Sequence, residues 1–189
     1  SENNTVIQSL EKRIKYLIIY GSNKSGKTTI ARKFSKNFNI GLINNLPSYL
    51  NFHRETYLDL NNLPGKDENL FHFLQHFISN NIPLTIFTSE NSIDKLNDEV
   101  YLPDVVSRLK QFTLCNIDNP SKDLLFKLIN KYLSFKSITV REEIIIEVMN
   151  YIERTYLSAF EAANTINHLL YENNHNINLS LIRKHYELL

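Results

Sequence analysis

Residues 21–28 read G-S-N-K-S-G-K-T and directly follow an apolar run at residues 16–20, Y-L-I-I-Y. This spacing of two glycines, a lysine and a threonine is typical of a phosphate-binding loop. The glycines let backbone N–H groups curve around phosphate oxygens, and a following helix directs its positive dipole end at them. Lys27 would reach the β- and γ-phosphates, and the Thr28 hydroxyl would bind Mg²⁺. The stretch therefore predicts binding of a nucleoside di- or triphosphate together with Mg²⁺.

The predicted loop lies between a strand and a helix, which is the context that such a loop requires. Ile30, Phe34 and Phe38 recur at helical spacing behind it. A solvent-exposed loop that only resembles the motif is the alternative, and the flanking pattern disfavours it. The predicted nucleotide-binding residues are Gly21, Ser22, Asn23, Lys24, Ser25, Gly26, Lys27, Thr28 and Thr29.

Composition limits the classes of protein that the chain can be. With 189 residues, of which 42% are hydrophobic, it can form one large domain and a small appendage. A formal net charge of +1 gives no general attraction to nucleic acids or anionic membranes. The single cysteine, Cys115, excludes an internal disulfide and a cysteine metal cage. No stretch approaches the roughly 20 apolar residues of a membrane span, and the polar start S-E-N-N is no signal peptide, so a cytoplasmic location is expected.

The first half of the chain alternates short apolar runs with helix-like segments, a pattern typical of a parallel sheet covered on both faces. Five strands are predicted at residues 15–20, 40–44, 56–60, 83–88 and 111–115, with helices at 29–38, 67–79 and 104–110. The segment between the second and third strands is too short for a full crossover helix. After residue 117 the alternation stops and only helices follow, which predicts an α/β subdomain at residues 1–117 and a helical lid at residues 118–189.

Four helices are predicted in the lid. Asn119 and Pro120 would open the first, since asparagine caps well and proline suits the first helical position. Thr139 and Glu142 have the spacing of a capping box and would open the second. The third is expected from residue 157 to residue 172, and the last is expected to start at Asn178 or at residue 180.

Several further phrases resemble the AAA+ ATPases, and within them the DnaA/Hda family of bacterial replication proteins. They are L-P-D-V-V-S-R-L at residues 102–109, F-H-F-L-Q-H at 71–76, F-T-S-E at 87–90 and I-N-L-S-L-I-R at 177–183. The resemblance runs through nearly the whole chain, and only the phosphate-binding loop is specific by itself. It implies an α/β fold with a P-loop NTPase five-stranded parallel sheet and a C-terminal helical lid. It also implies bound ADP or ATP, with Mg²⁺, and makes Arg108 an arginine finger that acts in trans.

The same resemblance implies a regulatory role and particular partners. An Hda-like protein promotes hydrolysis of the ATP bound to the DnaA initiator and so regulates the initiation of DNA replication. Such proteins bind the DNA polymerase sliding clamp through a peptide at the extreme N-terminus, and nothing in the first ten residues fits that peptide, so it is expected upstream. In the initiator a helix-turn-helix DNA-binding domain follows the lid, and no such domain is expected here. Homo-oligomerisation is a further expectation.

The chain departs from the family pattern at the groups that perform hydrolysis. Asp59 occupies the position of the Walker B aspartate and would hold Mg²⁺, but the next residue, acidic in active members, is Leu60. Because a general base contributes about 10²–10⁴-fold, hydrolysis should be very slow unless Asn61 or Asn62 positions a water. The lid position of the family's sensor arginine is Ser158, and Arg154, one turn earlier, is the nearest substitute. These changes predict a degenerate ATPase that distinguishes ATP from ADP weakly.

Individual candidates have simpler explanations as well. Arg108 could be a salt-bridged arginine at a helix end, although the surrounding phrase favours the finger. Thr88, Ser89 and Glu90 are either a polar sensor for the attacking water or an ordinary turn at a strand end. His72 and His76 have a spacing that can bind Zn²⁺, but without a third ligand a structural role is favoured. The aromatic residues of the 71–77 segment are expected in the core rather than in a nucleobase platform.

Two other classes of function stay open. A small P-loop kinase would be of similar size, but such enzymes surround the phosphoryl group with arginines, and the chain has seven, with none between residues 55 and 107. The other class is a nucleotide-binding scaffold without enzymatic activity, in which the ligand stabilises the fold. Leu60 after Asp59 is the feature that favours it.

Overall fold

The computed structural model describes residues 4–94, 96, 99–174 and 176–188. Contacts within the chain divide it into two compact units. Residues 4–22 and 26–118 form what we call the sheet unit, and residues 23–25 and 119–188 form the helical unit. The boundary predicted from the sequence lies one residue earlier, and the grouping of residues 23–25 with the helical unit was not predicted. Predictions that concern residues 1–3 fall outside the described residues.

The sheet unit contains five parallel strands in the order β2-β3-β4-β1-β5. Their bounds are β1 Tyr16–Gly21, β2 Gly41–Ile43, β3 Thr56–Asp59, β4 Leu84–Ser89 and β5 Thr113–Ile117. The strands β4 and β1 are central and largely buried. β1 is a continuous apolar run up to Gly21, as expected of a buried parallel strand, whereas β4 carries Thr85, Thr88 and Ser89 among its apolar residues. The predicted five-stranded parallel sheet is confirmed, and each strand bound differs from its predicted position by at most two residues.

Five helices accompany the described strands of the sheet unit: α1 Asn4–Glu11, α2 Lys27–Phe38, α3 Glu68–Ser79, α4 Glu90–Asp94 and α5 Pro103–Leu109. The sequence predicted α2, α3 and α5 but not α1 or α4. α1 packs against β5 and buries Val6 and Leu10. The segment between β2 and β3 contains no helix, as predicted.

The core of the sheet unit lies between the sheet and the helices α3 and α5. Its cluster includes Ile18, Leu58, Leu70, Phe73, Leu74, Phe77, Ile86, Val105, Val106 and Leu109. The aromatic residues Phe73 and Phe77 of α3 are at most 1% exposed, so they belong to the core and form no stacking platform. Their burial fixes the position of α3. The side chains on the other faces of this helix are placed as a result.

The helical unit contains α6 Lys122–Ser134, α7 Glu142–Met149, α8 Tyr156–Glu172 and α9 Leu179–Glu187. These helices enclose a second cluster, which includes Leu125, Ile129, Ile144, Ile145, Val148, Ala159, Ala163, Ile166 and Ile182. No helix among the described residues is long and apolar enough to cross a membrane.

Two predicted helix starts in this unit are wrong. The cap of α6 is Ser121, whose Oγ accepts a hydrogen bond from the Leu124 N–H at 3.2 Å, so Asn119 and Pro120 lie before the helix. The residue before α7 is Arg141, which makes no side-chain cap hydrogen bond. Thr139 therefore lies two residues before the cap position, too early for the reciprocal bonds of a capping box. By contrast, Asn178 caps α9 as predicted, since its Oδ1 accepts from the Leu181 N–H at 2.9 Å.

Candidate nucleotide-binding site

The predicted phosphate-binding loop connects the end of β1, at Gly21, with the start of α2, at Lys27. The residue before α2 is Gly26, with a φ of 89° that side chains rarely adopt. No atom lies within 4 Å of where a Cβ would stand, so the backbone conformation, rather than lack of space, requires glycine here. Gly26 has no side chain, so the cap residue itself supplies no acceptor to the first N–H groups of α2.

Lys27 is a buried lysine at this helix start, with 7% of its surface exposed. Its Nζ donates hydrogen bonds to the backbone carbonyl oxygens of Gly21, at 2.7 Å, and Ser22, at 2.9 Å. A cation at a helix N-terminus is unfavourable for the helix dipole, and these carbonyl bonds offset part of that cost. The result is a positive charge held inside the loop beside the helix N-terminus, which suits a phosphate group.

Two hydroxyl groups beside the loop are buried without a hydrogen-bond partner in the part of the chain that the structure describes. They are Ser22 Oγ and Thr88 Oγ1. Thr88 is fully buried near the end of β4, opposite Tyr20 in the neighbouring strand β1. Leaving a buried hydroxyl unpaired costs about 1–3 kcal/mol. Both hydroxyls lie at the same edge of the sheet as the loop, so a polar ligand there would satisfy them. The residues present thus fit a nucleotide phosphate.

Asp59 ends β3 opposite Phe87, and its carboxylate is partly exposed. Thr28, the second residue of α2, is also partly exposed, whereas Thr29 faces solvent. A hydroxyl and a carboxylate are oxygen ligands of the kind that Mg²⁺ prefers. Tyr57, two residues before Asp59, is buried in the same strand. This burial raises the pKa of its phenol to about 12.

Leu60 follows Asp59 and continues the ladder, since its N–H donates to the Phe87 carbonyl at 2.9 Å. Its side chain packs against the core cluster of the sheet unit. Successive strand residues face opposite sides of a sheet, so Leu60 shares a face with Thr88, the residue after Phe87. An apolar side chain therefore lies beside the unpaired Thr88 hydroxyl.

Thr88 and Ser89 have different hydrogen-bond environments in the structure, a difference that the sequence does not show. Ser89 Oγ donates to Asn62 Oδ1 at 2.9 Å and lies 3.3 Å from Ser92 Oγ. Ser92 Oγ in turn accepts from the Leu63 N–H at 3.0 Å. The hydrogen bond between Ser89 and Asn62 thus anchors the segment after β3. Because the Ser89 hydroxyl is engaged in this way, Thr88 is the candidate polar sensor. The side chain of Glu90 lies outside what the structure describes.

Arg108 lies in the last turn of α5 with 20% of its side chain exposed. Its Nε donates to Gln75 Oε1 at 2.8 Å, and its Nη1 donates to the Asp104 carbonyl at 2.9 Å. The guanidinium carbon lies 4.4 Å from the centre of the Phe71 ring. Arg108 is therefore held in one orientation by α3 and by its own helix, a set of contacts that sequence spacing did not reveal.

The remaining candidates have structural partners. His76 Nε2 lies 2.9 Å from the Phe52 carbonyl oxygen, and the ring of His72 packs edge-on against Phe71. Among the described residues, no group of three or more His, Cys, Asp and Glu side chains could hold a metal ion. Burial raises the pKa of the Cys115 thiol, which lies 3.9 Å from Ser9 Oγ.

In the helical unit, Ser158 takes part in capping α8. Its N–H donates to Thr155 Oγ1 at 3.0 Å, and the two hydroxyl oxygens lie 2.7 Å apart. Arg154 precedes the helix and is exposed, so it is not one helical turn before Ser158. The prediction that one of these residues replaces a sensor arginine stays a prediction.

Comparison with solved structures identifies the fold. The Thermotoga maritima RuvB Holliday junction branch migration motor matches 100% of this chain and 68% of its own, with a TM-score of 0.66 and 15% identity. Domain III of the Thermotoga maritima replication initiation protein DnaA matches 96% of this chain and 88% of its own, with a TM-score of 0.68 and 12% identity. A DNA replication initiation factor matches 91% and 63%, with a TM-score of 0.60 and 18% identity.

The chain has the AAA+ fold, in which a P-loop α/β sheet is followed by helices. The predicted resemblance to the DnaA/Hda-like AAA+ proteins is confirmed at the level of the fold. No protein-family model and no curated protein sequence matches the chain.

Proposed function

We propose that this protein holds ADP or ATP in its P-loop and regulates replication initiation by promoting hydrolysis of the ATP bound to a DnaA initiator. The observation that carries the proposal is a contrast within the sheet unit. The phosphate-binding loop is complete around Lys27, whereas Leu60 stands where a hydrolytic base would be needed. A chain of this kind binds nucleotide and turns it over poorly.

Each site residue has a defined task in this proposal. Lys27 and the N–H groups at the start of α2 bind the phosphates. Thr28 and Asp59 would hold Mg²⁺, which neutralises phosphate charge when bound. The buried hydroxyl of Thr88 donates a hydrogen bond to the nucleotide or to a water beside it, since the Ser89 hydroxyl is already bonded to Asn62.

The catalytic contribution to the partner falls to Arg108. An arginine supplied in trans stabilises charge on a transferring phosphoryl group and is worth about 10³–10⁵ in rate. A weak intrinsic ATPase is consistent with this role, because the phosphate to be cleaved is bound by the other subunit. The sliding clamp enters the proposal as a second partner that brings the two proteins together.

The test combines the protein with ATP-loaded DnaA, with and without sliding clamp, and follows phosphate release. The wild type should accelerate release, whereas Arg108→Ala should not, although it should still bind ADP. Arg32→Ala is the matched control, since Arg32 is an exposed arginine on α2. Equal stimulation by the wild type and Arg108→Ala, or none by either, would reject the regulatory function.

The nucleotide-binding part is tested separately by calorimetry with Mg²⁺·ADP and Mg²⁺·ATP. Lys27→Ala should abolish binding, and Lys33→Ala, an exposed lysine on the same helix, should bind normally. A scaffold without enzymatic or activating function is the second candidate, favoured by the packing of Leu60 against the core. It would be identified by tight ADP binding together with no effect on the initiator.

A further inference from the structure

Arg108 is held by a group of side chains and backbone that we call the arginine cradle: Phe71 and Gln75 of α3, and the Asp104 carbonyl of α5. Phe71 and Gln75 are four residues apart and therefore share one face of α3. The Phe71 ring lies under the plane of the guanidinium, and Gln75 Oε1 accepts from both Nε and Nη2. The Asp104 carbonyl accepts from Nη1.

The contacts use only part of the donor capacity of the guanidinium. Arginine carries five N–H donors in a planar fork. Nε–H and one Nη2–H point at Gln75, and one Nη1–H points at the Asp104 carbonyl. Among the described residues, the second N–H of Nη1 and the second N–H of Nη2 have no acceptor. One N–H on each terminal nitrogen is thus left for a further oxygen, and guanidinium N–H groups bind phosphate and carboxylate oxygens strongly.

The cradle also leaves the charge of Arg108 largely uncompensated. Gln75 is a neutral acceptor, and a backbone carbonyl is neutral as well. Among the side chains that the structure describes, the nearest carboxylate is that of Asp104, which lies 3.9 Å from Nη1 and is 78% exposed, so solvent screens it. The carboxamide of Gln75 is itself oriented, because its Nε2 donates to Ser79 Oγ and so directs Oε1 at Arg108.

We propose that Gln75 is the positioning residue of Arg108: its neutral carboxamide orients the guanidinium without cancelling its charge, so that the remaining N–H groups are presented to a phosphate bound by a partner subunit. This inference rests on the proposed function. If Gln75 only joined α3 to α5, the side chain at position 75 would not need to be neutral. A carboxylate at position 75 would hold Arg108 at least as well, and it would neutralise the group that has to meet the phosphate.

Two substitutions distinguish the effect of orienting Arg108 from the effect of its charge. Gln75→Leu removes the acceptor and should leave Arg108 disordered but charged. Gln75→Glu keeps an acceptor and should leave Arg108 ordered but neutralised. Gln111→Glu is the control for the added charge, since Gln111 is an exposed glutamine in the same unit outside the cradle.

The first measurement uses the protein alone and follows hydrogen exchange of the Arg108 Nε–H by ¹⁵N NMR. Exchange should be slow in the wild type and in Gln75→Glu, and fast in Gln75→Leu. The second measures maximal stimulation of ATP hydrolysis by the initiator and the concentration that gives half of it. Both Gln75 variants should lose maximal stimulation by about 100-fold, as a misplaced or neutralised catalytic group does, at an unchanged half-maximal concentration. Gln111→Glu should match the wild type in both.

Stimulation by Gln75→Glu at the wild-type level would overturn the inference, because the role of the carboxamide would then be structural only. Slow exchange of the Arg108 Nε–H in Gln75→Leu would overturn it as well, because Gln75 would not be what orients the group. If the wild type fails to stimulate the initiator while exchange follows the expected pattern, the proposed function fails and the orientation of Arg108 by Gln75 stands.

Discussion

Asp59 pairs with Phe87, so the residues that follow them, Leu60 and Thr88, are neighbours on adjacent strands. Leu60 and Thr88 share one face, and the Thr88 hydroxyl is buried without a partner among the described residues. A polar group at Thr88 can bind a water, but leucine has no atom that could remove a proton from it. In the proposed function, Leu60 is thus the position that lacks a base, and the carboxylate of Asp59 before it could still bind Mg²⁺.

We expect Leu60→Glu to increase ATP hydrolysis by the isolated protein. A carboxylate beside Thr88 would act as general base, and a base of this kind contributes about 10²–10⁴-fold. The free energy of unfolding should fall at the same time, because Leu60 packs against the core and a carboxylate there loses solvation. Steady-state phosphate release with Mg²⁺·ATP, corrected for the folded fraction, measures the gain.

Leu60→Gln controls for shape and hydrogen bonding without supplying a base, and its turnover should stay at the wild-type level. If the glutamine and glutamate variants are equally fast, the gain does not come from proton transfer. If neither exceeds the wild type, hydrolysis is limited by another missing group, such as a lid cation.

At the scale of elements, helix ends differ more from prediction than helix interiors do. Ser121, Thr155 and Asn178 each accept a hydrogen bond from an N–H three residues later, whereas the predicted box at Thr139 does not form. Asparagine is common throughout this sequence, so composition alone does not select the capping residue. Which one caps depends on where the packed face of the helix begins.

We expect Thr155→Ala to destabilise the helical unit by about 1 kcal/mol, the usual cost of losing an N-cap side chain. Two contacts are lost at once, those of Thr155 Oγ1 with the N–H and the hydroxyl of Ser158. Thr139→Ala should change stability by less than about 0.5 kcal/mol, as a substitution outside any cap. Hydrogen exchange of slowly exchanging α8 amides measures both. A larger effect at Thr139 than at Thr155 would contradict the assignment.

The strands were predictable because short apolar segments alternate with helix-like ones, although β2 and β5 are not buried throughout. The phosphate-binding loop was predictable because its residues are adjacent in sequence. α1 was not predicted, since only its packing against β5 explains the apolar residues Val6 and Leu10, which are buried there. The cradle of Arg108 was equally hidden, because Gln75 lies 33 residues away and only the packing of α3 beside α5 brings them together. Sequence thus predicts local geometry well, and side-chain partnerships across elements poorly.

At the scale of the whole molecule, the described residues form two hydrophobic clusters with no member in common. One joins the sheet to α3 and α5, and the other joins α6, α7, α8 and α9. A domain with one core unfolds as one cooperative unit, whereas separate cores permit sub-global unfolding of one without the other. The separation of the clusters favours the second behaviour.

Ile129→Ala tests this directly, because Ile129 lies in α6 with no exposed surface, in the centre of the helical cluster. Removing it should cost about 2–5 kcal/mol, which corresponds to at least about 30-fold faster exchange of the protected amides in α6 and α8. Amides of β1 and β4 should exchange as in the wild type, since the sheet cluster loses no contact. Ile146→Ala, in α7 with 53% exposure, is the control and should change neither set. Equal acceleration of the sheet amides by Ile129→Ala would show instead that the two cores unfold together.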